Sequence, residues 1–321
     1  MNSVKPWQSF SDQLQILKSR GLQVGDDEAA LRYLARIGYY RLSGYWYPMR
    51  TVDNVASARE KRPVRLDRFV EGSRFEDVVR LYIFDAKLRL LALDALERIE
   101  LAVRVDVAHL LGKYDPCAHK NPNCLHGNFA KKTLKKGFNL GKTEHQVWLE
   151  KYQQQLSRSR REPFVEHHKK VYGGELPIWA AIEVWDFGLL SKLFAGMQFN
   201  DQKKIADKYG AVNGKAFASW LRSLNFIRNV SAHHSRLWNI NVLERAPLPQ
   251  SASYWRQLNN ERPFLYFCFM QQMLRVLCPN SSWSQRFAGV LEEFPSKDIT
   301  ISLADFGLVE GWEEWDIWKQ K

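Results

Sequence analysis

From Ser73 to Gly112 the chain runs without a single glycine or proline between its ends. A stretch of that length far exceeds a strand of about 5–6 residues, so it is read as helix. Val78, Tyr82, Leu88, Leu91, Leu96, Ile99 and Val103 recur along it at a spacing that predicts one buried stripe. Ser73-Arg74-Phe75-Glu76 has the spacing of a capping box, which places the expected start. The span is longer than a usual helix, so either one long helix or a kinked pair is expected.

The rest of the chain reads the same way, and no segment shows the period-two alternation of a strand. Leu14, Ile16, Leu17 and then Ala30, Leu31, Leu34, Ile37 predict two helices broken at Gly21 and Gly25. An aromatic segment from Tyr39 to Pro48 follows, and the polar residues from Thr51 to Pro63 read as a loop. After Gly173-Gly174, the pattern Pro177-Ile178-Trp179, Glu183, Val184, Phe187, Leu190, Leu193 predicts one helix with proline in its first turn. Another spans Ala216 to roughly Trp238, and a last one Phe264 to Leu277, before turns that carry Trp312, Trp315 and Trp318. The expected fold class is all-α, in three parts: an amino-terminal helical unit (1–72), a core (73–245) and a helical carboxyl-terminal extension (246–321).

Charge narrows the partners. The chain carries a formal net charge of +12, and the span Lys113–Lys170 holds 13 Lys/Arg against 5 Asp/Glu. Such a basic insertion, with Lys131, Lys132, Lys135, Lys136, Lys142, Arg158, Arg160 and Arg161, suits the tracking of RNA phosphates irrespective of sequence. A cationic membrane-surface protein fits less well, because the lysine-rich region is poor in apolar residues. The longest apolar run, Phe264–Met270, is far short of a membrane span. Met1–Trp7 has no apolar run behind its basic residue, and four cysteines are too few for a disulfide framework. A reduced, cytoplasmic protein is expected.

The segment Asn225–Asn239 concentrates the polar chemistry. On an uninterrupted helix Asn229, His233 and Arg236 share a face, and Arg228 lies about 140° from His233. The two would then border a groove, unless the helix ends or bends near Ser231. Metal-free RNA cleavage needs a base for the 2′-hydroxyl, which His supplies near neutral pH, and a fixed cation for the phosphate, which Arg supplies. By spacing alone the same residues could equally be a helix end favoured by its dipole.

Arg228-Asn229 followed by His233 resembles the Arg-Asn-x-x-x-His signature of HEPN ribonucleases. The wider string through Ala232, His233, His234, Arg236, Leu237, Trp238 and Asn239 is similar to the Abi-like family of AbiD- and AbiF-type abortive-infection proteins. Further marks are Gln13-Leu14, Gly21-Leu22, Ile37–Tyr45, Glu97–Glu100, Leu176–Trp179, Phe187-Gly188, Asp305-Phe306-Gly307 and Trp312. The resemblance implies a HEPN-type helical bundle, a homodimer whose Arg/His pairs meet, and a metal-independent endoribonuclease used in phage defence. It implies His233 as base, Arg228 as transition-state stabiliser, Asn229 and Arg236 as phosphate-orienting groups, and His234 or a second copy's His233 as acid. Trp238 is expected in the core and Asn239 as a helix cap. No cofactor and no metal are expected; RNA is the expected substrate, and a noncoding RNA a further partner or inhibitor.

Weaker signals compete. Arg104 and His109 repeat the Arg-to-His spacing, but Glu100 stands ready to pair with Arg104. Cys117, His119, Cys124 and His126 could ligate zinc, though their spacings are tighter than usual. Gly137–Thr143 falls one residue short of a phosphate-binding loop and follows lysines rather than a strand. A non-catalytic RNA-binding module working with a structured small RNA is the main alternative function. Nucleotidyl transfer lacks the paired carboxylates that would hold two metals.

Overall fold

The computed structural model describes residues 4–295 and 300–319, so Met1–Ser3 of the opening segment lie outside it. Among the described residues it is all-α, with fourteen α-helices and one small sheet. The amino-terminal part holds α1 (Phe10–Ser19), α2 (Asp27–Ile37), α3 (Tyr39–Trp46), β1 (Arg50–Val52), α4 (Asn54–Glu60) and β2 (Arg65–Phe69). Next come α5 (Phe75–Gly112), α6 (Gly127–Ala130), α7 (Glu144–Arg158) and α8 (Pro163–Val171). Then follow α9 (Ile178–Ala181), α10 (Phe187–Gly196), α11 (Phe199–Lys208), α12 (Gly214–Ala232), α13 (Pro263–Leu277) and α14 (Trp283–Glu292).

The glycine-free stretch is one continuous helix of 38 residues and serves as the spine. α3, α9, α12, α13 and α14 all pack on α5. Every residue of the expected stripe is buried except Tyr82, which is half-buried and meets the Tyr45 ring edge-on at 5.4 Å. Buried apolar residues from Leu14 to Trp318 form one cluster that runs through all three segments. The carboxyl-terminal tryptophans close it: Trp312 and Trp318 pack around Phe264 and Phe287.

Several local expectations are corrected. The capping box at Ser73 does not form. Ser73 Oγ donates to the Met49 carbonyl, and Glu76 accepts the Gly25 N–H at 2.8 Å, so tertiary partners claim both side chains. The polar stretch after Thr51 is no plain loop: it contains α4 and leads into β2. β1 and β2 pair antiparallel with Arg50 opposite Phe69 and Val52 opposite Arg65, strands too short and too exposed to show alternation. The helix expected from Pro177 through Leu193 breaks at Trp185-Asp186, where extended backbone lets Asp186 cap α10 by accepting Leu189 N–H at 2.7 Å. The carboxyl-terminal part holds α14 besides the expected α13. No helix among the described residues is long and apolar enough to cross a membrane.

Candidate active site

α12 carries the chemistry and ends in the middle of it. Asn213 caps its start by accepting the Ala216 N–H at 2.8 Å. At the other end the last helical residue is Ala232, and His234 adopts the left-handed conformation with φ of 56°. Ser235 N–H reaches Val230 O at 3.0 Å and His234 N–H reaches Ser231 O at 3.2 Å. This is the double hydrogen-bond pattern of a Schellman terminus, a position usually given to glycine. A β-carbon there costs roughly 1 kcal/mol.

The helix end redistributes the five candidate residues. Arg228 and Asn229 lie in the last turns, half-buried, with Arg228 Nη1 donating to Asn229 Oδ1 at 3.3 Å. His233 is the first residue beyond the helix; its N–H is tied to Asn229 O at 3.0 Å and its side chain is exposed. Neither it nor the exposed His234 has a side-chain hydrogen bond among the described residues. Arg41 from α3 pins His234 through its carbonyl at 2.5 Å.

Arg236 is a correction. The shared face ends with the helix, and Arg236 turns to α3, where Nη1 donates to the Gly44 carbonyl. A β-carbon on Gly44 would lie 2.9 Å from that nitrogen, so the guanidinium would have to shift to admit one. Asn239 is likewise no cap: it lies beyond the helix end, and its carbonyl accepts from Arg262 at 3.2 Å. Trp238 is fully buried, as expected of core.

A buried charge anchors this segment to the spine, and sequence reasoning missed it. Asp85, fully buried on α5, accepts the backbone N–H groups of Leu237 at 3.0 Å and Trp238 at 2.7 Å through one oxygen. Its other oxygen accepts Tyr45 Oη at 2.7 Å and the buried guanidinium of Arg89. Burial drives the Asp85 carboxyl upward, opposed by Arg89 and these donors. The signal in the sequence was an Asp–Arg pair at i, i+4 inside an apolar run.

Arg228 borders two clefts. One, of about 330 Å³, faces α5 and is lined by Leu93, Leu96, Glu97, Glu100, Leu101 and Arg104. There Arg104 pairs with Glu100 at 2.5 Å and donates to Trp185 O at 2.6 Å, so the Arg104–His109 repeat is a helix ion pair. The other cleft, of about 350 Å³, lies between α7, α10 and α12. Lys151, Arg158, Lys192 and Arg228 line it, with Asn225, Asn229 and Asp186. Trp148 N–H to Leu189 O at 2.9 Å clamps α7 to α10 beside it. Burial, reinforced by the neighbouring Lys151, holds the Lys192 ammonium below the ordinary lysine pKa.

Of the basic residues singled out in the sequence, Arg158 reaches this cleft; Lys131, Lys132, Lys135, Lys136, Arg160 and Arg161 are exposed and line neither one. Lys142 pairs with Glu150 at 2.6 Å. Lys192 and Asn225 were not singled out, because α10 and α12 approach α7 only in the folded chain.

The zinc ligands do not assemble. His126 is spent on the Ala195 carbonyl at 2.8 Å and the Phe129 N–H at 3.2 Å. His119 is fully buried among the rings of Trp148, Tyr152 and Trp185, and no three metal-binding side chains converge among the described residues. The loop from Gly137 lacks a strand before it, and Thr143 instead caps α7 in a capping box with Gln146.

Fold and site together define an all-α protein that presents an Arg–Asn pair and a free histidine at the end of one helix, beside a cationic cleft. The chain belongs to the Abi-like protein family, whose model matches residues 32–239. No curated protein and no solved structure gives a significant match.

Proposed function

We propose that this protein is a metal-independent endoribonuclease of HEPN type, an AbiD/AbiF-like toxin that cleaves RNA during abortive infection. Family membership suggests phage defence. The observation that carries the nuclease reading is the end of α12: Arg228 is oriented by Asn229 at a cleft mouth, and His233 follows with its imidazole free. In this reading His233 takes the 2′-hydroxyl proton, the resulting alkoxide attacks the adjacent phosphorus, and Arg228 stabilises the charge gathering on its oxygens. The 5′-oxygen leaves with a proton from His234 or from His233 of a second copy. The products are a 2′,3′-cyclic phosphate and a 5′-hydroxyl, and DNA, lacking the 2′-hydroxyl, is spared.

A homodimer belongs to this reading. Leu90, Leu101 and Val105 are exposed on α5, and Leu101 lines the cleft that Arg228 shares with that helix. Exposed apolar residues beside an incomplete site favour a second copy. The test is the chemistry of the ends: RNA treated with the purified protein should resist ligation at its 3′ ends until the cyclic phosphate is removed. Ends carrying a 3′-hydroxyl would refute the mechanism. RNA bound tightly but left whole would favour the binding module with a structured small RNA.

A further inference from the structure

The cleft between α7, α10 and α12 gathers four cationic side chains around a single carboxylate. Lys151, Arg158, Lys192 and Arg228 line it, and none has a carboxylate partner among the described residues. Elsewhere on the surface Lys142, Lys203 and Lys208 each have one, at 2.6, 2.6 and 2.7 Å. The one acid lining the cleft, Asp186, accepts Leu189 N–H at 2.7 Å and Gln155 Nε2 at 2.5 Å, and with Glu144 it offsets part of the Lys192 charge without pairing with it. Lys151 stands close enough to Lys192 to disfavour its charge. Two ammonium groups lining one cleft have only donors, which suits an anionic acceptor between them.

Gly188 forms part of the lining, and a β-carbon there would lie tightly, at 3.2 Å, against Asp186 Oδ1. Asn225 and Asn229 add amide groups that can hydrogen-bond a phosphate or its sugar.

We propose that this cleft is the subsite for a backbone phosphate of the RNA strand neighbouring the cleaved linkage, gripped by Lys151, Lys192 and Arg158. The place beside the cleaved linkage rests on the nuclease reading, and the phosphate on the cleft alone. Arg228 is then the hinge between the two functions, facing the reacting phosphate and closing the subsite. Lys151 and Lys192 are positioning residues: they fix the strand, and they transfer no proton.

The experiment uses the full chain with His233→Ala, so that binding is read without cleavage. Anisotropy of a labelled single-stranded RNA is followed through a salt series, with and without Lys151→Gln/Lys192→Gln. The double substitution should weaken binding about tenfold and flatten the log–log salt slope by roughly 0.7, the share of one neutralised phosphate on a single strand. Lys192→Arg should keep the affinity, and Arg59→Gln/Lys61→Gln, the same charge change on the amino-terminal unit, should leave it unaltered. Matching thermal melts establish that the variants are folded. Unchanged affinity and slope in the cleft variant would overturn the proposal, as would an equal loss in the control pair. Inorganic phosphate that binds through these lysines when RNA does not would overturn the RNA assignment. Loss of binding in the cleft variant, with no cleavage by the wild type, would leave the subsite standing and remove the nuclease reading.

Discussion

At the residue scale the most informative position is His234. Its left-handed backbone closes α12 where glycine would do so without strain, yet a histidine is kept. Strain retained beside a site is a pointer to function. His234→Gly should therefore raise stability by about 1 kcal/mol, read as a higher urea midpoint with an unchanged slope, while cleavage falls. An unchanged or lower midpoint would show that the turn imposes no cost. Arg228, Asn229 and His233 could be picked out as candidates because they sit within six residues of one another in sequence. Arg236 shares a face with Asn229 and His233 only on an uninterrupted helix; the end at Ala232, close to the alternative of a stop near Ser231, carries it to α3 instead. Lys192 was not legible at all, since its partners Lys151 and Arg228 come from other helices.

At the scale of elements, the contact of α3 with the segment after α12 explains two residues at once. A glycine inside a helix usually destabilises it by about 0.5–1 kcal/mol relative to alanine. At Gly44 in α3 the Arg236 guanidinium lies 2.9 Å from where a β-carbon would sit and bonds the carbonyl, so a larger residue would displace that contact. Gly44→Ala should then give none of the usual gain, whereas the same change in an Arg236→Ala background should recover it. Chemical denaturation of the four-member cycle measures that coupling; additive effects would contradict the contact. The long helix was readable from the absence of breakers between Ser73 and Gly112, but its cap was not. Ser73 and Glu76 have the right spacing and are drawn to Met49 and Gly25, neighbours that only the tertiary fold supplies.

At the scale of the whole molecule, the single core makes stability sensitive to the groups buried in it. His119, enclosed by Trp148, Tyr152 and Trp185, has its pKa pushed down from 6.5 to about 4, chiefly by burial. His145 is shifted the same way. The unfolded chain takes up this proton below pH 6.5 and the folded chain does not until about 4. Stability is thus complete above that window and drains away as pH falls through it, by ~3 kcal/mol for His119. His119→Phe should remove most of that pH dependence in urea midpoints; a wild-type midpoint that stays level across the window would contradict it. The all-α class was legible from helix-length apolar patterns set between breakers, with no period-two alternation. The path by which α7 and α10 meet α12 was not, because it depends on packing between segments far apart in the chain.

The proposed function stands or falls on metal-free RNA cleavage at the end of α12. Purified wild-type protein, Arg228→Ala and His233→Ala should each be incubated with total cellular RNA in EDTA. Cleavage by the wild type and its loss in both variants, with their folds intact, is the result predicted. Cleavage that EDTA abolishes, or that persists in His233→Ala, would contradict it.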